Sequence, residues 1–78
     1  LPLRHAWPRI WLSPQALHPH FSMVSESYIR RARLAEYRVN VWTVNEANDM
    51  ARMASLGVDA IITDHVTLAR TVLGIEES

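Results

Sequence analysis

The sequence has no cysteine, no lysine, only two glycines and no surplus of either charge. Without cysteine there is no disulfide framework, no thiolate zinc site and no cysteine nucleophile. A cysteine-free composition permits either a cytoplasmic or a periplasmic setting, and the cytoplasm is the expectation between the two. Eight arginines, scattered from Arg4 to Arg70, balance eight carboxylates at a pI near 7.1. That balance excludes the electrostatic footprint of a dedicated nucleic-acid binder and a polybasic patch for an anionic membrane. No apolar run approaches the roughly 18 residues that a membrane span requires.

The 78 residues, 49% of them hydrophobic, describe one small globular unit. A domain of about 60 residues buries only about 60% of its extended-chain surface, so such a unit folds with little margin. Residues 1–14 hold three of the four prolines and two of the three tryptophans, forming an irregular lead-in. The chain starts at Leu1, its first methionine is Met23, and the lead-in lacks the basic head and apolar core of a signal peptide. The expectation is a chain that begins elsewhere.

From Gln15 onward strand-like runs alternate with amphipathic segments of helix length. Gln15–Phe21 is expected as a strand, restricted to an edge or an end because Pro19 cannot donate to a ladder. Ser25 is expected to cap a helix, with Glu26 at the positive end of its dipole and Val24 and Ile29 as a hydrophobic staple. Tyr28, Ala32 and Ala35 share one face of that helix, which ends near Glu36. Arg38–Val44, with three valines, a tryptophan and a threonine in seven residues, has the strongest strand pattern. Asn45 is expected to cap a helix through Met50, Met53 and Ala54 that stops at Gly57. Val58–Thr63 is a short, almost wholly apolar strand, as in a sheet covered on both faces. Asp64 is expected to cap a last helix with Leu68, Val72 and Leu73 inward, ending at Gly74. Strand and helix in strict alternation imply βαβ units and a parallel sheet, in an open doubly wound or a closed eight-fold form.

Alternation on the central strand separates Val39, Val41 and Thr43 from Arg38, Asn40, Trp42 and Val44. The aliphatic set suits packing beneath helices. The opposite face, in a barrel, is the interior, and Trp42 lies near the carboxyl end where ligands bind. Trp42 is either an aromatic filling the barrel core or a pocket wall.

The run Val39-Asn40-Val41-Trp42-Thr43-Val44-Asn45, followed a dozen residues on by Gly57-Val58-Asp59-Ala60-Ile61-Ile62-Thr63-Asp64, resembles the carboxyl-terminal signature of the glycerophosphodiester phosphodiesterase family. The likeness extends upstream through Ala16-Leu17-His18-Pro19 and covers roughly residues 15–74. It implies an α/β fold in which residues 15–78 form three consecutive βα units, about the sixth to the eighth, of a (β/α)8 TIM barrel of the phospholipase-C-like phosphodiesterase type. Such a barrel takes about 250 residues, so three units take roughly 94, close to the length of this chain. The resemblance further implies a metal-dependent hydrolase acting on small-molecule glycerophosphodiesters, with a divalent cation (Ca2+ or Mg2+) and two histidines as general base and acid. Trp42 would then bind substrate by apolar contact. The family's His-Arg-Gly motif, second catalytic histidine and Glu-x-Asp metal pair have no counterpart here, so catalytic residues and metal ligands are expected to be absent and the 78 residues inactive alone. Glu36 stands where the family ends its helix with glycine, and Val66 where it commonly has proline.

Other candidates have plain readings. His18 and His20 could share a metal on a strand, yet lack a third ligand and are read as rim histidines. His65 is read as solvent-facing, Asp64 and Asn45 as caps, and Met50 and Met53 as core. Two rival functions are kept. A phosphate-gripping barrel enzyme would need glycine-rich loops, but Asn45-Glu46 and Asp64-His65 offer a carboxylate each and no glycine. A non-catalytic binding or structural module fits the missing catalytic residues, but three parallel strands would leave two edges and one face bare. The isolated chain is expected to be marginal, self-associating or partly molten.

Overall fold

The structure, a computed structural model, describes residues 15–75; the lead-in over residues 1–14 lies outside them. Strands β1 (Ala16–Leu17), β2 (Arg38–Val41) and β3 (Ala60–Ile61) alternate with helices α1 (Glu26–Leu34), α2 (Ala47–Leu56) and α3 (Val66–Leu73), and a 3-10 turn (Phe21–Met23) precedes α1. The strands lie in the order β1-β2-β3, both pairs parallel. Three successive βα units result, as the alternation of patterns predicts.

Local chemistry explains most of the boundaries. Ser25 Oγ accepts from the Tyr28 amide at 3.1 Å, capping α1, and Val24 and Ile29 are both buried as the staple requires. Gly57 and Gly74 end α2 and α3 at φ of 85° and 72°, where a side chain would be strained. At the end of α1 no glycine is present, and Glu36 itself takes the left-handed conformation at φ 65°. A non-glycine residue there costs about 1–2 kcal/mol.

The strands are shorter than their apolar runs. Arg38 N donates to Gln15 O at 2.9 Å, and continuing this register would have the Asn40 carbonyl seek an amide at position 19, where proline has none. The ladder therefore breaks after Leu17 and resumes only as a single bridge between His20 and Trp42. On β2 the expected alternation fails beyond Trp42: Val44 is fully buried while Thr43 is only half-buried. The Val44 amide donates to Ile62 O at 2.9 Å, which draws its side chain toward the helices.

The helices cover the face bearing Leu17, Val39, Val41 and Ile61. Val24, Val39, Val41, Val44, Met50 and Met53 form the core with Ile29, Ala32 and Ala69; burying each large side chain contributes about 1.5–3 kcal/mol. Ala69 takes the innermost place on α3, with Val72 and Leu73 packed beside it, while Leu68, expected inside, sits at the rim. The smaller side chain lets α3 pack against α2, the helix pair with the most extensive contact among the described residues. The opposite face differs from the doubly covered sheet expected of β3: among the described residues Ala60 and Ile62 are exposed, Ile62 by 47%.

Candidate functional site

The two ends of the sheet carry different chemistry. At the amino-terminal end, the Asp59 carboxylate accepts from the Val39 amide at 2.7 Å and from Arg33 Nη1 at 2.8 Å. Arg33 also donates to the carbonyls of Tyr37 and Gly57, at 3.0 and 2.6 Å. The Val39 amide points to the start of β3, so a carboxylate stands in for the missing ladder carbonyl. Burial by itself would raise the Asp59 pKa, but the Val39 amide and the positive charges of Arg33 and Arg38 outweigh it and hold the carboxyl below its ordinary value. Sequence reading overlooked this latch, whose partners lie 20 and 26 residues apart; the only local signal was an aspartate directly before a strand.

The carboxyl-terminal end is where parallel α/β sheets bind ligands. Trp42 stands there on the open face, 42% exposed, in the row of Asn40 and opposite His20. Its indole N–H donates to the His18 carbonyl at 2.6 Å. Neither His18 nor His20 joins a metal cluster: among the described residues no three histidine, aspartate or glutamate side chains converge on a point that could hold an ion. These residues therefore do not fit a divalent cation.

Asn45 and Asp64, expected as helix caps, do something else. Helix α2 is entered from Glu46 and α3 from His65, neither with a side-chain cap bond. Asn45 Oδ1 instead accepts from the Asp64 amide and the Thr63 hydroxyl, both at 3.0 Å, and its Nδ2 donates to the Asp64 carboxylate at 3.3 Å. Thr63 Oγ1 in turn accepts from the His65 amide at 2.9 Å. The β2 and β3 ends are thus tied by a neutral side chain that prefers two cross-strand partners to one local amide. His65 is exposed, as expected. It borders with Asn45, Asp64 and Leu68 a shallow hollow of about 410 Å3. A larger apolar groove of about 680 Å3 runs along the free edge of β3 and is lined by Ile62, Val66, Leu73 and Ile75. No described helix is long and apolar enough to cross a membrane.

Comparison with known proteins agrees with this arrangement. Residues 6–68 match the model of the glycerophosphoryl diester phosphodiesterase family. Glycerophosphodiester phosphodiesterase GDPD4 of Arabidopsis thaliana is 41% identical over 46 residues, which are 59% of this chain and 13% of that protein. A crystal structure from Silicibacter pomeroyi, assigned to the glycerophosphoryl diester phosphodiesterases, superposes on 86% of this chain and 23% of its own with a TM-score of 0.74 and 33% identity. The chain thus spans less than a quarter of either relative, and its strands and helices are βα units of that family's TIM barrel. With parallel βα units and a family model matched over most of its length, the chain belongs to the glycerophosphoryl diester phosphodiesterase family.

Proposed function

We propose that this chain supplies the sixth, seventh and eighth units of a barrel that hydrolyses glycerophosphodiesters to an alcohol and glycerol 3-phosphate, and that Trp42 is its contribution to the substrate site. One observation carries the second half of this reading: Trp42 is a large aromatic held on the open face of the sheet at its carboxyl-terminal end. There an indole offers apolar surface to the carbons of glycerol or of the departing alcohol. It takes no part in proton transfer or phosphorus–oxygen cleavage. The family is generally dependent on a divalent cation, which would polarise the phosphoryl oxygen; its ligands, and the general acid and base, belong to the units this chain does not contain. The apolar groove beside β3 suits a further strand and helix of the same barrel.

The phosphate-cup reading loses support from the rim itself. The Asp64 amide is already taken by Asn45, and the Asp64 carboxylate lies beside it, an arrangement that repels an anion. Free β edges and the bare face also favour association of isolated chains.

The test is a hybrid in which residues 15–75 replace the equivalent segment of the Silicibacter pomeroyi protein. The hybrid is expected to hydrolyse glycerophosphocholine, and Trp42→Ala to raise KM about tenfold, roughly 1.4 kcal/mol of binding, with kcat little changed. An unchanged KM overturns the role of Trp42. The 78-residue chain alone is expected to show no hydrolysis with Ca2+ or Mg2+, and turnover would contradict the assignment of the chemistry to other units.

A further inference from the structure

One short stretch, His18 to Ser22, holds Trp42 from three directions. The His18 carbonyl takes the indole N–H. The Trp42 amide donates to Pro19 O at 3.3 Å, and the Trp42 carbonyl accepts from the Phe21 amide at 3.0 Å. The His20 imidazole meets the indole edge-on, with ring centres 5.1 Å apart and planes at 88°, the geometry that aromatic quadrupoles favour. The imidazole is itself fixed: its Nδ1 lies 2.8 Å from Ser22 Oγ and accepts from the Ser22 amide at 3.2 Å, while Phe21 stacks on it at 4.6 Å.

A tryptophan side chain has two torsions to be set. The hydrogen bond to His18 sets the distance of Nε1 from one carbonyl oxygen, a single condition on the two. A coupled change of both torsions that keeps this distance is still open, and the only described ring in contact with the indole is that of His20. We propose that His20 is a positioning residue for Trp42, keeping the indole fixed with its free surface turned to the open side of the sheet, ready for the carbon skeleton of a glycerophosphodiester. The inference rests on the reading of Trp42 given above. It also explains why the chain after Pro19 returns to β2 for a single bridge: that bridge brings imidazole and indole together.

The competing role for His20 is to cap the 3-10 turn through Ser22, and the two roles separate by substitution. In the hybrid described above, with every other tryptophan replaced by phenylalanine, Trp42 is the sole tryptophan, and its near-ultraviolet circular dichroism reports a fixed indole. His20→Phe keeps a ring and loses the acceptor for Ser22; His20→Asn keeps an acceptor and loses the ring. His20→Phe is expected to retain more than about half of the indole band and His20→Asn to lose most of it, each with the parent far-ultraviolet spectrum. His20→Gln serves as the ringless variant if His20→Asn unfolds. A full band in the ringless variant, equal loss in both variants, or no band in the parent overturns the proposal. The substrate reading fails separately: a rigid indole with an unchanged KM for Trp42→Ala in the hybrid would sink that reading and leave the positioning role intact.

Discussion

The amino-terminal end of the sheet is fastened by an arginine–carboxylate pair, and the carboxyl-terminal end by a neutral asparagine, a hydroxyl and aromatic contacts, with one long hydrogen bond to the Asp64 carboxylate. Arg33 and Asp59 join α1, β2 and the start of β3 in one charge-assisted cluster. Asn45 and Thr63 join the opposite ends of β2 and β3 with no charged donor, and Trp42 leans on His18 and His20. In barrels of this type one end serves stability and the other serves ligands. A strong fixed charge pair is harmless at the first and would bias a binding site at the second. The chemistry of the two fasteners follows that division.

Removing one fastener at a time tests the comparison. The largest effect is expected from Asp59→Ala, which strands the partly buried Val39 amide and leaves Arg33 without its carboxylate; stability falls by about 2 kcal/mol, measured as a shifted urea midpoint in the hybrid. Asn45→Ala is expected to cost about 1 kcal/mol and to speed hydrogen exchange at the Asp64 amide. Raising salt should shrink the Asp59 effect, since Arg33 and Asp59 are 41% and 35% exposed, and leave the Asn45 effect unchanged. Equal salt sensitivity would break the contrast. Glu36→Gly relieves the left-handed strain at the amino-terminal end and is expected to raise stability by about 0.5 kcal/mol; a loss would mean that the contacts of the Glu36 side chain outweigh its backbone cost.

The smallest effect concerns acid. The folded Asp59 pKa lies below its unfolded value, so its contribution is complete above the ordinary carboxylate range near pH 4 and is lost as pH falls through the lower, folded pKa. Asp59→Asn should flatten the stability profile in that acidic window and leave it unchanged at neutral pH apart from a constant offset. A profile as steep as the parent's would show that other carboxylates set acid lability.

What was legible in the sequence was local. Ser25 caps a helix because its partner amide is three residues away, Gly57 and Gly74 stop helices because of their own backbone freedom, and Val39 and Val41 face inward by simple alternation. Asn45 and Asp64 have the composition of caps, yet their partners lie across the sheet, 19 residues apart; no local rule ranks a distant acceptor above a near one. Val44 and Leu68 were misplaced for a related reason, because a hydrogen bond to Ile62 and the close approach of α2 and α3 decide which side chain is inside. Trp42 lies at the strand end and on the face that alternation predicts, but its orientation depends on a loop that folds back only after Pro19 interrupts the ladder. The family signature supplied what periodicity left open, the choice of a closed barrel over an open sheet.

The three described strands also set a limit by counting alone. A TIM barrel closes at eight strands, and the described residues of each copy offer three, with the outer edges of β1 and β3 free among them. Two copies joined edge to edge reach six and three reach nine, so no whole number of copies reproduces the eight-fold ring. Parallel edge-to-edge contacts of this head-to-tail kind close only where the rotation from copy to copy divides a full turn, and otherwise continue as open filaments. On the reading proposed above, completing an eight-strand ring around the three described strands takes five further strands, which is a different assembly problem from self-association.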